Sequence, residues 1–336
     1  MQARSPALVV AAAFAAACGH SPLISPPPEA PTIACPADMT IRGVAGTGRE
    51  VAFTGPTTHG GTLPLSLACA PASGAVFTTG QTPVACTVMD AQGRQAGCSF
   101  SVTLTPLLLG VTRFIAFGDS VTAGENGRPG LVNGFIDFPN LYPLDLEQML
   151  NTEYPGQGIV VLNRGAGGDS VERSVEKLPA ILEADHGGAL LLLDGYNNLL
   201  AECSPGHSDS GACARKIDDV VSGLRQCVRI AQVSAYGIKY VYVSAITPPG
   251  LFRGGPRDRR IAADAVVRTN SAMSAMVNGE GAIFVDTYAR FLGHEAEYVD
   301  QDGLHLSPAG YEALARGFFE RIKETVAATP AFRTRR

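Results

Sequence analysis

Phe114-Ile115-Ala116-Phe117-Gly118-Asp119-Ser120-Val121-Thr122-Ala123-Gly124 opens the longer half of the chain. A short apolar run stopped by glycine reads as a buried strand, and the residues after the serine suit a helix. The stretch is therefore strand, tight turn, helix. Apolar runs at 159–162, 189–193, 240–245 and 283–285 repeat the strand signal. Helical spacing fills the gaps: over 216–236, Ile217, Val220, Val221, Leu224, Val228 and Ala231 share one face. A last helix opens at Ser307-Pro308, a favourable N-cap and first-turn proline. It continues through Tyr311, Leu314, Ala315, Phe318, Ile322 and Val326. Strand and helix alternating, with strands apolar throughout, predict a three-layer α/β/α domain on a parallel sheet over residues 111–328. Sites in such sheets form at the carboxyl ends of the strands.

Those ends carry chemistry. Ser120 lies in the first turn, where its N–H points at a space an oxyanion could fill, but its hydroxyl needs a base to become a nucleophile. After the second run comes Asn163-Arg164-Gly165-Ala166-Gly167-Gly168-Asp169, where glycine lets backbone N–H groups approach a ligand. After the third comes Asp194-Gly195-Tyr196-Asn197-Asn198, whose amides are neutral donors. Before the last helix stands Asp302-Gly303-Leu304-His305. Three residues of separation in a turn let the carboxylate hold one imidazole nitrogen and leave the other as a base. Each piece alone is weak. Gly-Asp-Ser-Val even occurs twice, at 118–121 and 168–171, and Ser170 reads as a helix-start residue.

In this order the four blocks resemble the SGNH or GDSL hydrolase family. The resemblance implies Ser120 as nucleophile, His305 as base and Asp302 as its orienting carboxylate. It implies an oxyanion hole made by the Ser120 and Gly168 N–H groups and the Asn197 side chain, with Asp119 and Tyr196 lining the substrate site. Two positions depart from the family pattern: Val121 replaces leucine, and Asn198 replaces the aspartate of the third block. The function implied is carboxylic ester hydrolysis, esterase or lipase-like or carbohydrate deacetylase, with no cofactor and no metal. A catalytically inactive adhesion or binding lipoprotein is the alternative. Loops at 125–138 and 248–256 are expected to set acyl length.

The N-terminal third differs. Residues 33–106 read as short strands at 39–44, 51–54, 65–69, 84–89 and 98–105 broken by Gly and Pro, and 99–104 alternates polar and apolar as a half-buried strand does. Four cysteines here allow three pairings. Cys35-Pro36, Val51-Ala52-Phe53, Cys69-Ala70-Pro71-Ala72-Ser73-Gly74, Val76-Phe77-Thr78-Thr79-Gly80-Gln81-Thr82-Pro83-Val84-Ala85-Cys86-Thr87, Asp90-Ala91-Gln92-Gly93 and Cys98-Ser99-Phe100-Ser101-Val102 resemble the hyalin-repeat (HYR) module. That resemblance implies an immunoglobulin-like sandwich, Cys35–Cys98 and Cys69–Cys86 pairs, and a spacer or adhesion role toward envelope or extracellular partners.

Residues 1–18 carry one charge, Arg4, then an apolar run and small residues, the pattern of an export signal. Ala15-Ala16-Ala17-Cys18-Gly19 resembles a bacterial lipoprotein box with Cys18 lipidated, although Ala15 stands where that box has a large aliphatic. A proline-rich spacer at 19–32 and a basic tail at 329–336 complete the layout. The expected location is the bacterial cell envelope or outside the cell, with membrane attachment through Cys18. In an exported chain Cys203 and Cys213 are expected to pair, and Cys227, on an apolar helix face, to be a buried thiol. His59, His186, His207 and His294 read as loop or surface histidines. The chain is 46% hydrophobic, which excludes wholesale disorder, and its net charge of −5 argues against a nucleic-acid partner.

Overall fold

A computed structural model of the chain describes residues 28–127, 141–254 and 258–328. The signal segment with Cys18, the spacer up to residue 27, most of the 125–138 loop and the 329–336 tail lie outside the described residues. Two compact units interleave along the sequence: the described residues through 38 with 51–75 and 83–101, and 39–50 with 76–82 and 102–328.

The N-terminal strands are β1 (Thr32–Ala34), β2 (Met39–Val44), β3 (Gly48–Glu50), β4 (Thr57–His59), β5 (Ser66–Ala70), β6 (Val76–Thr78), β7 (Gly80–Met89) and β8 (Gln95–Pro106). β1 pairs with β4, β3 with β6 and β5 with β7, all antiparallel; β2 runs parallel to β8. In β7 Val84, Cys86 and Val88 are buried and the residues between them exposed, the alternation of a strand covered on one face. The expected strand at 51–54 is absent. Ser73 takes the Phe53 backbone instead: the Phe53 N–H donates to Ser73 Oγ at 2.9 Å, and that hydroxyl donates to the Phe53 carbonyl at 3.0 Å, while the Val51 N–H donates to the Ala75 carbonyl at 3.1 Å. Val51 is nevertheless buried, and the Phe53 ring meets Phe100 edge-on at 5.1 Å. Disulfides join Cys35 to Cys98 and Cys69 to Cys86.

The second unit carries the α/β architecture. Its sheet comprises β9 (Arg113–Gly118), β10 (Val160–Gly165), β11 (Ala189–Leu193), β12 (Tyr240–Ser244) and β13 (Ile283–Val285), in the order β10-β9-β11-β12-β13 with every neighbouring pair parallel. The principal helices are α1 (Ser120–Ala123), α2 (Tyr142–Glu153), α3 (Val171–Asp185), α4 (Tyr196–Leu199), α5 (Gly211–Ala231), α6 (Ala263–Gly279), α7 (Thr287–Phe291), α8 (Glu295–Tyr298) and α9 (Pro308–Ala328). All five residues of β11 are 0% exposed, which only a sheet covered on both faces permits. Each buried leucine there contributes about 1.5–3 kcal/mol relative to an exposed one. From β9 the chain passes to β10 on one side, and β11 lies on the other. The strand order thus reverses at the carboxyl end of β9, where a crevice opens in such sheets. Cys203 and Cys213 are joined, and Cys227 is a buried free thiol. Among the described residues no helix is long and apolar enough to cross a membrane.

Candidate active site

Ser120 stands at the carboxyl end of β9. Gly118 makes the turn possible: its φ is +153°, and a β-carbon there would lie 1.7 Å from the Leu193 carbonyl oxygen. Asp119 then caps α1, its Oδ1 accepting the Val121 N–H at 3.0 Å, so Ser120 occupies the first helical position with its N–H outside the helical ladder.

His305 arrives from a turn between α8 and α9. An antiparallel bridge between Val299 and Leu306 closes it, and the Asp300 N–H donates to the His305 carbonyl at 2.7 Å. Within it, Asp302 Oδ1 accepts the Leu304 and His305 N–H groups, each at 3.0 Å. Its Oδ2 lies 2.6 Å from His305 Nδ1. One carboxylate therefore shapes the loop and orients the ring. Burial would raise the Asp302 carboxyl, but the His305 imidazole and the two backbone N–H groups hold it below the usual carboxylate value. An ionised carboxylate can only accept, so Nδ1 carries a proton, and in the neutral ring Nε2 is the basic nitrogen. Nε2 lies 3.0 Å from Ser120 Oγ. Serine, histidine and aspartate are thus aligned across 185 residues of sequence.

The other expected residues are distributed as follows. Gly168 has φ +76°, and nothing lies within 4 Å of where its β-carbon would be, so its backbone borders open space. The Asn197 amide donates to the Asp169 carbonyl at 2.8 Å, which ties the third block to the glycine block. Asn198 accepts the Val171 N–H at 3.0 Å and donates to Glu172; it caps α3, while Ser170 occupies the N-cap position. Asp119 and Tyr196, read as substrate-lining, are 0% and 2% exposed. Asp119 serves its helix, and Tyr196 shares a hydrogen bond of 3.0 Å with the Thr247 hydroxyl. Burial, then the charge of Asp194, pushes the Asp119 carboxyl up; burial lifts Asp194 to about 7, against hydrogen bonds from Ser174 and the Gly195 N–H. Burial likewise pushes the Cys227 thiol up to about 12. His59, His186, His207 and His294 are exposed. Among the described residues no group of three His, Cys, Asp or Glu is arranged to hold a metal ion.

Two neighbours of the site went unread in the sequence. Arg259 Nε lies 3.8 Å from Asp302 Oδ2, and its N–H donates to the Asp302 carbonyl at 3.1 Å. No local pattern marks an arginine 43 residues before its partner. Glu125 Oε2 lies 3.9 Å from His305 Nε2; the sequence marked it only as the first residue of the 125–138 loop, with no role of its own.

Residues 28–104 match the HYR domain. No curated protein sequence matches the chain. Among solved structures, a protein assigned as an arylesterase from Agrobacterium tumefaciens superposes with a TM-score of 0.50 at 20% identity, covering 63% of this chain and 99% of that one. An acetylxylan esterase from Geobacillus stearothermophilus gives a TM-score of 0.47 at 20% identity, covering 63% of this chain and 94% of that one. Residues 116–313 match the GDSL-like Lipase/Acylhydrolase family. That match spans more than half of the chain, from the strand before Ser120 to the helix after His305, so the chain belongs to this family and is a carboxylic ester hydrolase.

Proposed function

We propose that the chain is an exported serine esterase that works through an acyl-enzyme on Ser120. The observation that carries this reading is His305, hydrogen-bonded to Ser120 Oγ at 3.0 Å through one nitrogen and to Asp302 at 2.6 Å through the other. Ser120 Oγ attacks the ester carbonyl as Nε2 takes its proton. The negative oxygen of the tetrahedral intermediate is held by the N–H groups of Ser120 and Gly168 and by the Asn197 amide. Nε2 then gives its proton to the leaving alcohol, the carbon–oxygen bond breaks, and an acyl-serine remains. Water, deprotonated by Nε2, releases the acid and restores Ser120. Asp302 stays ionised throughout and stabilises the imidazolium.

The layout we propose places an export signal at 1–18 with Cys18 as lipidation site, a spacer at 19–32, the HYR module at 33–106, the hydrolase at 111–328 and a basic tail at 329–336. Three disulfides support an oxidising compartment. The substrate is a small-molecule, glycan or lipid ester, and the HYR module faces envelope or extracellular partners. Hydrolysis of p-nitrophenyl acetate that falls by about 10⁴-fold or more in Ser120→Ala, at unchanged Tm, supports the reading. Folded wild-type protein that turns over no short acyl ester would favour a binding protein instead.

A further inference from the structure

Glu125 belongs to the reacting end of the site and has no part in the mechanism above. Its backbone is fixed on both sides: its N–H donates to the Ser120 carbonyl at 3.0 Å, and its carbonyl accepts the Tyr311 hydroxyl at 2.5 Å. Its side chain is 14% exposed. One carboxylate oxygen lies 3.9 Å from His305 Nε2. The other packs on the glycine block, where a β-carbon at Gly167 would lie 1.9 Å from Oε1. Any residue larger than glycine at 167 would displace this carboxylate. It therefore stands between the imidazole and the glycine block, beside the atom that delivers the proton to the leaving group.

Among the described residues no lysine or arginine pairs with Glu125. Arg173 and Lys177 are engaged by Asp169, and Arg259 lies beside Asp302, the residue bound to the opposite imidazole nitrogen. The leaving oxygen must come within about 3 Å of Nε2 to be protonated. The alcohol is thus brought within several ångströms of a largely buried carboxylate that no described lysine or arginine neutralises.

We propose that Glu125 is a specificity-determining residue for the alcohol part of the ester: it favours alcohols carrying a positive charge, admits neutral ones and rejects anionic ones. This inference rests on the acyl-enzyme reading. A single charge at such a distance in a partly buried site changes affinity by roughly tenfold, and the effect shrinks as salt screens it.

Three acetate esters of similar size test it: acetylcholine, its neutral isostere 3,3-dimethylbutyl acetate, and the acetate ester of 2-hydroxyethanesulfonate, with p-nitrophenyl acetate as a reference. In the wild type kcat/KM should fall from cationic to neutral to anionic. In Glu125→Gln, which keeps the shape, the cationic-to-anionic ratio should collapse by roughly tenfold or more, largely through KM, while Glu125→Asp retains most of it. A change in His305 basicity would act on all four esters alike and leave the ratio unmoved. An unchanged ratio in Glu125→Gln, with p-nitrophenyl acetate still turned over, overturns the role of Glu125 alone. Wild-type protein inert toward all four esters overturns the esterase reading itself.

Discussion

β7 and β11 show how differently the two ends of this chain are built. From Val84 onward β7 buries every second residue, Val84, Cys86 and Val88, and leaves Ala85, Thr87 and Met89 exposed; β11 buries all five of its residues. The N-terminal region leaves large side chains such as Leu63 and Val76 outside, at 78% and 67% exposure, and carries two disulfides. The α/β region holds a continuous core running from Leu109 to Ile322. A thin core leaves stability to covalent links, whereas a thick one can keep polar, chemically active groups at strand ends without unfolding. Losses in the first region should therefore register as stability, and losses at the second region's strand ends as rate.

The largest effect separating the two is expected from removing the Cys35–Cys98 link. It closes a loop of 63 residues, and the chain-entropy model gives it about 4 kcal/mol. Cys35→Ser with Cys98→Ser should lower stability toward urea by that order while kcat/KM changes by less than about twofold, since Ser120, Asp302 and His305 belong to the other unit. A parallel collapse of activity would break the division. The converse case is Asn197→Ala. It removes a donor proposed for the oxyanion and should cost roughly 100- to 1,000-fold in kcat, with little movement of Tm. A loss of Tm in step with rate would recast Asn197 as a structural tie to Asp169.

Asp194 sharpens the comparison least strongly but tests the α/β interior directly. Burial raises its carboxyl to about 7 from an ordinary value of 3.8, so the native state holds this proton more tightly than the unfolded chain does. The resulting stability is fully present below about 3.8 and is lost as pH rises through 7. Asn carries no such proton. The Tm of Asp194→Asn, relative to wild type, should therefore rise between pH 5 and pH 8. A constant difference across that range would show that Asp194 titrates normally.

How far the sequence reached can be judged residue by residue. The run at 189–193 matched its strand to the residue, because a fully buried parallel strand is apolar without interruption. The strand expected at 51–54 failed because its backbone finds partners outside any strand: the Ser73 hydroxyl takes both groups of Phe53, and Val51 bonds Gly74 and Ala75. Ser120, Asp302 and His305 were each marked only weakly by their local turns and named together by the family resemblance; the fold places them within hydrogen-bond distance of one another. Asp119 and Tyr196 sit beside key residues in sequence, yet their side chains turn inward to cap α1 and to meet Thr247. Glu125 and Arg259 matter only through what the fold places against them, and no spacing rule reports that.

The most direct test of the account is the site of acylation. Protein mixed with p-nitrophenyl acetate, quenched in acid within the first turnovers and digested, should yield one acetyl group per chain on the peptide containing Ser120. The adduct should be absent in His305→Ala. An acetyl group on another residue, such as Ser170 of the second Gly-Asp-Ser-Val, or full turnover without any acyl-serine, would contradict it.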